Sequence, residues 1–188
     1  MKRTVACLCL IFALVFSLFG CCSVPDAPWE AALSGAFSAS FSGELNGVNV
    51  QATVLADAPR ADADGLFRSL SVVYRAPESL RDVTVRCVFY PETKRLSSLT
   101  LVYGELTIPN AAADDLIAPA LLLATPPENA VLRRDKNGSQ TLSDTAGGQR
   151  SLTFSDDGSP LLLQGVWENT AVRLHIIPSK ETDSLTKR

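Results

Sequence analysis

The chain has 188 residues, 46% hydrophobic and 20% charged, with a formal net charge of −3. This length fits one domain. Mild acidity and the lack of any cluster of Lys and Arg exclude the positive stripe that a nucleic-acid partner needs.

The first twenty residues have the pattern of an export signal. Lys2 and Arg3 precede an uncharged apolar run from Val5 to Phe19, and the small residue Gly20 follows it. The run is somewhat short for a spanning helix, which needs roughly 20 apolar residues. We therefore expect residues 1–20 to be a signal peptide.

The end of this run indicates the type of signal. Leu18-Phe19-Gly20-Cys21 resembles the lipobox of bacterial lipoproteins, an aliphatic residue and two usually small residues before a cysteine. Phe19 departs from that pattern, since most members have a smaller residue there. The resemblance implies cleavage before Cys21, a diacylglyceryl group on its thiol, and a place on the extracytoplasmic face of a bacterial cell membrane. Two acyl chains are enough for stable anchoring. The alternatives are an uncut anchor helix and an ordinary cleaved signal.

Removal of residues 1–20 changes the charge and the cysteine inventory. It leaves 168 of 188 residues and 15 of 17 basic residues against 20 acidic ones, a net charge of −5. Cys22 then lies in a lipidated tether at 21–27, whereas Cys87 lies in a strand-like run. A disulfide between them is one interpretation outside the cytoplasm, but we favour Cys87 as a buried free thiol.

The elements of the first half are a short helix and about five strands. The helix is expected at 28–33. Alternating apolar and polar residues predict strands, and Asn46-Gly47 is a strong hairpin pattern. Spacings near ten residues predict an antiparallel meander. The predicted strands are 37–41, 48–56, 66–75, 83–90 and 99–103, with further turns at 62–65 and 91–94.

One segment in the middle predicts a helix. Residues 111–124 follow Asn110, are rich in helix formers and carry Asp114 and Asp115 in the first turn. Pro119 is expected to kink the helix or split it in two. Its apolar residues are expected to line one face: Leu116, Ile117, Leu121 and Leu122.

The sheet is expected to resume after the helix, with four or five more short strands. Among them are 151–154, 161–167 and 171–177, and residues 179–188 form a polar tail. The turns are predicted at Asn137-Gly138, Gly147-Gly148, Asp157-Gly158 and Glu168-Asn169. The fold class is therefore mainly β with a helical insertion, in which the apolar helix lies across the sheet.

The pattern over residues 28–178 resembles the half-barrel fold of Lol-type periplasmic lipoprotein carriers, their mycobacterial lipoprotein relatives and the lipid-sensing domain of an anti-sigma regulator. The likeness rests on the leading helix and on segments 37–43, 76–80 and 152–158. It is an architectural likeness without a signature motif, and the resemblance assigns no position to the carriers' basic cavity residue. The resemblance implies a strongly curved antiparallel sheet around the helix, with a cavity between them that accepts acyl chains.

These expectations lead to a function without catalysis. We expect a lipid-anchored, non-enzymatic binding module for an acyl chain or another apolar molecule. The alternative is a structural or protein-interaction lipoprotein with a filled core and an envelope protein as its partner. The cavity is expected to be lined by Phe41, Val50, Val72, Val85, Leu101, Leu116, Leu121 and Trp167.

The candidates for chemistry are few. His175 is the one histidine and its neighbours fit a strand, and no Gly-x-Ser-x-Gly turn presents a nucleophile. Asp114-Asp115 fits the first turn of a helix better than a carboxylate pair, and Asp156-Asp157-Gly158 lacks the ligand spacing of a calcium loop. We predict no catalytic residue, no metal and no cofactor.

Overall fold

The computed structural model describes residues 33–145, 149–156 and 159–178. Its main elements are twelve strands and one α-helix: β1 (Phe37–Leu45), β2 (Val48–Ala56), β3 (Arg60–Asp62), β4 (Gly65–Ala76), β5 (Val83–Tyr90), β6 (Arg95–Tyr103), β7 (Leu106–Pro109), α1 (Asp114–Ala124), β8 (Val131–Arg134), β9 (Gln140–Asp144), β10 (Arg150–Phe154), β11 (Pro160–Trp167) and β12 (Thr170–Pro178). The predictions for Cys21, Cys22, the leading helix before Leu33, Gly147-Gly148, Asp157-Gly158 and the tail fall outside the described residues.

The strands form one antiparallel sheet that is not closed in the described ranges. Its order is β7-β6-β5-β4-β2-β1-β12-β11-β10-β9-β8, and β3 pairs with β4 outside this series. The first and last described strands lie side by side, with Leu45 opposite Val172 and Phe41 opposite Ile176. The sheet therefore consists of two meanders joined by pairing between distant parts of the chain.

The local turn chemistry explains the hairpins that the sequence predicts. Asn46 and Gly47 both have positive φ, 48° and 76°, as a tight turn between β1 and β2 requires. Asp62 and Gly65 pair across the turn from β3 to β4. The predicted hairpins at these positions are confirmed.

Alternation along the strands sends one face of the sheet into the core. In β4, Leu70, Val72 and Tyr74 are buried, and in β5, Val85 and Cys87 are buried. Cys87 is free, and burial raises the pKa of its thiol to about 12. The prediction that Cys87 is a buried free thiol is confirmed.

The helix α1 differs from its prediction in two ways. It runs through Pro119 as one helix from Asp114 to Ala124. The predicted split at Pro119 is therefore wrong, and the predicted kink stays a prediction. The expected single apolar face is also wrong, because all eight residues from Ile117 to Ala124 are buried. A helix that is apolar all round needs protein on every side.

Candidate functional site

A cavity of about 390 Å³ opens beside the carboxyl end of α1. Its lining comes from the end of the helix, the segment after it, and strands or turns from both meanders. The apolar lining residues are Leu33, Pro59, Leu66, Pro91, Leu123, Ala124, Pro126, Pro127, Leu142 and Leu152, and the polar ones are Ser34, Arg68, Glu92, Thr125 and Arg150.

The carboxyl end of α1 is held by a buried arginine. The Arg150 guanidinium donates to the carbonyls of Leu122 and Thr125, the latter at 2.8 Å, and to the Asp144 carboxylate at 2.5 Å. The side chains of Arg150 and Asp144 are almost fully buried. Carbonyls at a helix end carry partial negative charge and lack partners within the helix. Arg150 therefore fixes the wall of the cavity that α1 supplies.

A second buried arginine, Arg68, also lines the cavity. Arg68 of β4 is only 3% exposed. Its guanidinium donates to the carbonyls of Asp57 at 3.1 Å, Leu33 at 2.7 Å and Gly35. It also lies over the Phe37 ring, 5.2 Å from the centroid. Burial lowers the pKa of Arg68 from its ordinary value.

The segment after α1 joins the two meanders beside the cavity. Glu128 accepts from Lys94 Nζ at 2.6 Å, and Lys94 lies in the turn between β5 and β6. The carbonyl of Glu128 accepts from the backbone N–H of Thr145, which follows β9, at 3.2 Å. The ion pair is exposed, so it contributes little by itself. The backbone bond and the ion pair connect the segment after Pro126 and Pro127 to both meanders.

The eight residues predicted to line a cavity lie elsewhere. Phe41, Val50, Val72, Val85, Leu121 and Trp167 are buried in the core, and Leu101 and Leu116 are half-buried against it. None of the eight is among the lining residues of the cavity.

The core around these eight residues is held by a ring contact and by a hydrogen bond. The Phe89 ring of β5 meets the Trp167 ring of β11 edge to face, with centroids 5.9 Å apart. Tyr74 donates to the carbonyl of Leu116 at 2.7 Å. Burial raises the pKa of Tyr74 well above its ordinary value.

The candidates for chemistry stand apart from the cavity. His175 is exposed in β12, opposite Ser42 and Leu162. Asp115 accepts from the Thr170 hydroxyl, and Asp114 is exposed in the first turn of α1. In the described ranges no three His, Cys, Asp or Glu side chains form a group that could hold a metal ion.

Sequence reasoning missed both cavity arginines, although a pattern was present. Arg68 occupies the same strand face as Leu70 and Val72, and Arg150 the same face as Leu152. A charged residue in the buried register of a strand must find partners inside the protein. Such a position is therefore the place to look for a buried polar site.

Comparisons with known proteins find similar solved structures and no related family. No family model matches the chain, and no curated protein matches it. An uncharacterized conserved protein from Thermus thermophilus is similar at 16% identity and a TM-score of 0.45, covering 86% of this chain and 89% of that one. MucB is similar at 14% identity and a TM-score of 0.43, covering 87% of this chain and 60% of that one. None of the helical segments in the described ranges has the length and apolar character of a membrane span.

Proposed function

We propose that this chain is a lipid-anchored extracytoplasmic lipoprotein whose folded part binds an acyl chain or another apolar ligand without catalysing a reaction. The observation that carries the binding part is the apolar cavity at the carboxyl end of α1. The anchoring part rests on the pattern that ends at Cys21.

The binding proposal includes a sheet that curves around α1. Phe89 and Trp167 belong to strands five places apart in the sheet order, yet their ring centroids are 5.9 Å apart. In a flat sheet, strands five places apart would be separated by about 24 Å, since neighbours lie about 4.8 Å apart. The contact supports curvature, and so does the burial of all residues from Ile117 to Ala124 in α1.

The size and lining of the cavity support an apolar ligand. Its volume of about 390 Å³ falls in the usual range for small-molecule pockets, about 300–1,000 Å³. Leu123, Leu142 and Leu152 supply apolar walls from the helix and from two strands. Each methylene that leaves water for such walls contributes about 0.8 kcal/mol. Part of a single acyl chain fits this space.

Lipid analysis of matched variants tests the binding proposal. Leu66 lines the cavity and is 46% exposed, and Leu55 on the outer face of β2 is 43% exposed. Both can become tryptophan without altering the core. We expect native mass spectrometry of the full-length chain to show a co-purified apolar molecule. Leu66→Trp should reduce its occupancy several-fold, and Leu55→Trp should leave it unchanged.

Two results would contradict the binding proposal. One is a wild-type chain that carries no apolar molecule and takes none up from vesicles. The other is equal occupancy in both tryptophan variants, which would place the ligand outside the cavity.

One observation favours the alternative, a protein-interaction lipoprotein. Both edge strands expose large apolar residues, Leu106 and Ile108 in β7 and Val131 and Leu132 in β8. An exposed edge can pair with a strand of another protein. If that is the function, Ile108→Lys or Val131→Lys would abolish recovery of one envelope protein, and neither would change lipid occupancy.

A further inference from the structure

The two arginines of the cavity differ in how their charge is balanced. Arg150 forms an ion pair with Asp144 at 2.5 Å, so this pair adds no net charge to the wall. Arg68 forms no ion pair within the described ranges, and its hydrogen-bond acceptors there are three backbone carbonyls. One wall of an apolar cavity therefore carries a buried positive charge.

The hydrogen bonds of Arg68 do not use all of its N–H donors. A guanidinium has five N–H groups. Arg68 uses one bond from each of its three nitrogens, to Asp57, Leu33 and Gly35. One N–H on each terminal nitrogen therefore has no acceptor in the described part of the chain. A carboxylate oxygen accepts a charge-assisted hydrogen bond from an N–H group of this kind.

The surrounding charges permit an anion at this position. Glu92 is the carboxylate among the described lining residues, and it is exposed to solvent, which screens it. The buried carboxylate of Asp144 is already paired with Arg150. The Asp57 carboxylate acts on Arg68 electrostatically but forms no ion pair with it in the described part of the chain. An anionic ligand in direct contact with the guanidinium would further reduce the cost of burying its charge.

The volume limits the size of the ligand. A non-hydrogen group of a chain occupies a volume on the order of that of one liquid water molecule, about 30 Å³. The cavity of about 390 Å³ therefore holds on the order of a dozen such groups. One chain of medium length fills this space.

We propose that the cavity takes a single-chain anionic amphiphile, with its carboxylate on the guanidinium of Arg68 and its apolar chain along Leu123, Leu142 and Leu152. This inference rests on the proposed function, because it requires that the cavity bind an apolar chain. It adds the charge and the chain number of the ligand.

Three ten-carbon probes with different head groups test the proposal on the unaltered protein. The full-length chain is held in nanodiscs, and decanoate, decanol and decyltrimethylammonium are titrated calorimetrically against an empty-nanodisc baseline at neutral pH. We expect decanoate to bind about tenfold more tightly than decanol, because its bonds to Arg68 are charge-assisted. The cation should bind more weakly than decanol. Acetate, which has the charge without the chain, should not displace decanoate.

The outcomes separate this inference from the proposed function. Decanoate and decanol binding equally would overturn the anion preference and leave the apolar cavity standing. No binding of any probe would overturn both. Displacement by acetate would mean a plain anion site, contrary to the amphiphile proposed here.

Variants of two arginines test whether Arg68 is the origin of the preference for decanoate over decanol. Arg68→Met should bring decanoate down to the affinity of decanol, and Arg68→Lys should keep part of the difference. Arg86→Met, an exposed arginine on the outer face of β5, is the control and should keep all of it. A tenfold preference that survives Arg68→Met in a folded protein would place the anion elsewhere and contradict the proposal.

Discussion

At the scale of single residues, the ion pair of Asp144 and Arg150 determines how firmly the end of α1 is held. Both side chains are buried, and Arg150 also reaches the carbonyls of Leu122 and Thr125. Removal of one partner would leave an unpaired charge inside the protein. The helix end and the cavity wall depend on the same guanidinium.

We expect Asp144→Asn to reduce the free energy of unfolding by about 3–5 kcal/mol, the usual cost of breaking a buried pair. Glu78→Gln is the matched control, because Glu78 and Arg81 form an ion pair with both side chains more than half exposed. Its loss should cost less than about 1 kcal/mol. Denaturant unfolding of both variants measures the difference, and similar losses would show that the buried pair has no special role.

The two cavity arginines show how much of the candidate site can be predicted from the sequence. The apolar positions of β4 and β10 follow from alternation, but Arg68 and Arg150 occupy the same buried register. Asp144 is the one side-chain acceptor among the described partners of these two arginines, and the others are backbone carbonyls 11 to 35 positions away, which no side-chain pattern indicates. The sequence therefore marks two unusual positions without indicating their partners.

At the scale of elements, the pairing of β1 with β12 depends on a glycine. Gly43 lies opposite Leu174 with φ of +156°. A Cβ at this position would lie 2.2 Å from the carbonyl oxygen of Arg173. Any side chain at position 43 therefore pushes the two strands apart.

Gly43→Ala should destabilise the fold by about 1–3 kcal/mol, as overpacking does. Gly35→Ala is the control, because a Cβ at Gly35 would meet nothing within 4 Å. Thermal unfolding of the two variants tests this, and an equal melting temperature for Gly43→Ala and the wild type would disprove the steric argument.

The helix shows what periodicity can and cannot predict. Its place, its first-turn acids and its apolar character were all readable from residues 111–124. Its burial on every side was not, because that depends on strands from both meanders, and a pattern within one segment cannot report them. The eight residues predicted to line a cavity are not among those that line the cavity at the end of α1. Alternation identifies inward-facing residues, but it does not indicate which of them meet the helix.

At the scale of the whole molecule, the proposed attachment to the membrane depends on the thiol of Cys21. Cys21→Ser should prevent acylation, leave the signal uncut and remove the mass of the lipid. Cys22→Ser is the adjacent control and should leave processing and membrane attachment unchanged. Mass spectrometry and sedimentation with vesicles measure both. A Cys21→Ser chain that is still cut at the same bond and still sediments would contradict the lipoprotein assignment.

The order of strands in the sheet was beyond sequence reasoning. Period-two alternation distinguishes inside from outside but does not identify a neighbour. Consecutive hairpins such as β1–β2 follow from turn residues, whereas the pairing of β1 with β12 joins residues more than a hundred positions apart. No local sequence pattern indicates that pairing.

The position of β12 between β1 and β11 constrains the order in which the protein can form. A growing or translocating chain can build the hairpins of β1 to β7 early, but β1 keeps an open edge until residues 170–178 have emerged. Distant pairings form slowly, and open edges invite association with other chains in the meantime. A truncated chain that ends before Thr170 would therefore leave the edges of β1 and β11 unpaired. Such a fragment would be prone to aggregation and to degradation by proteases of the cell.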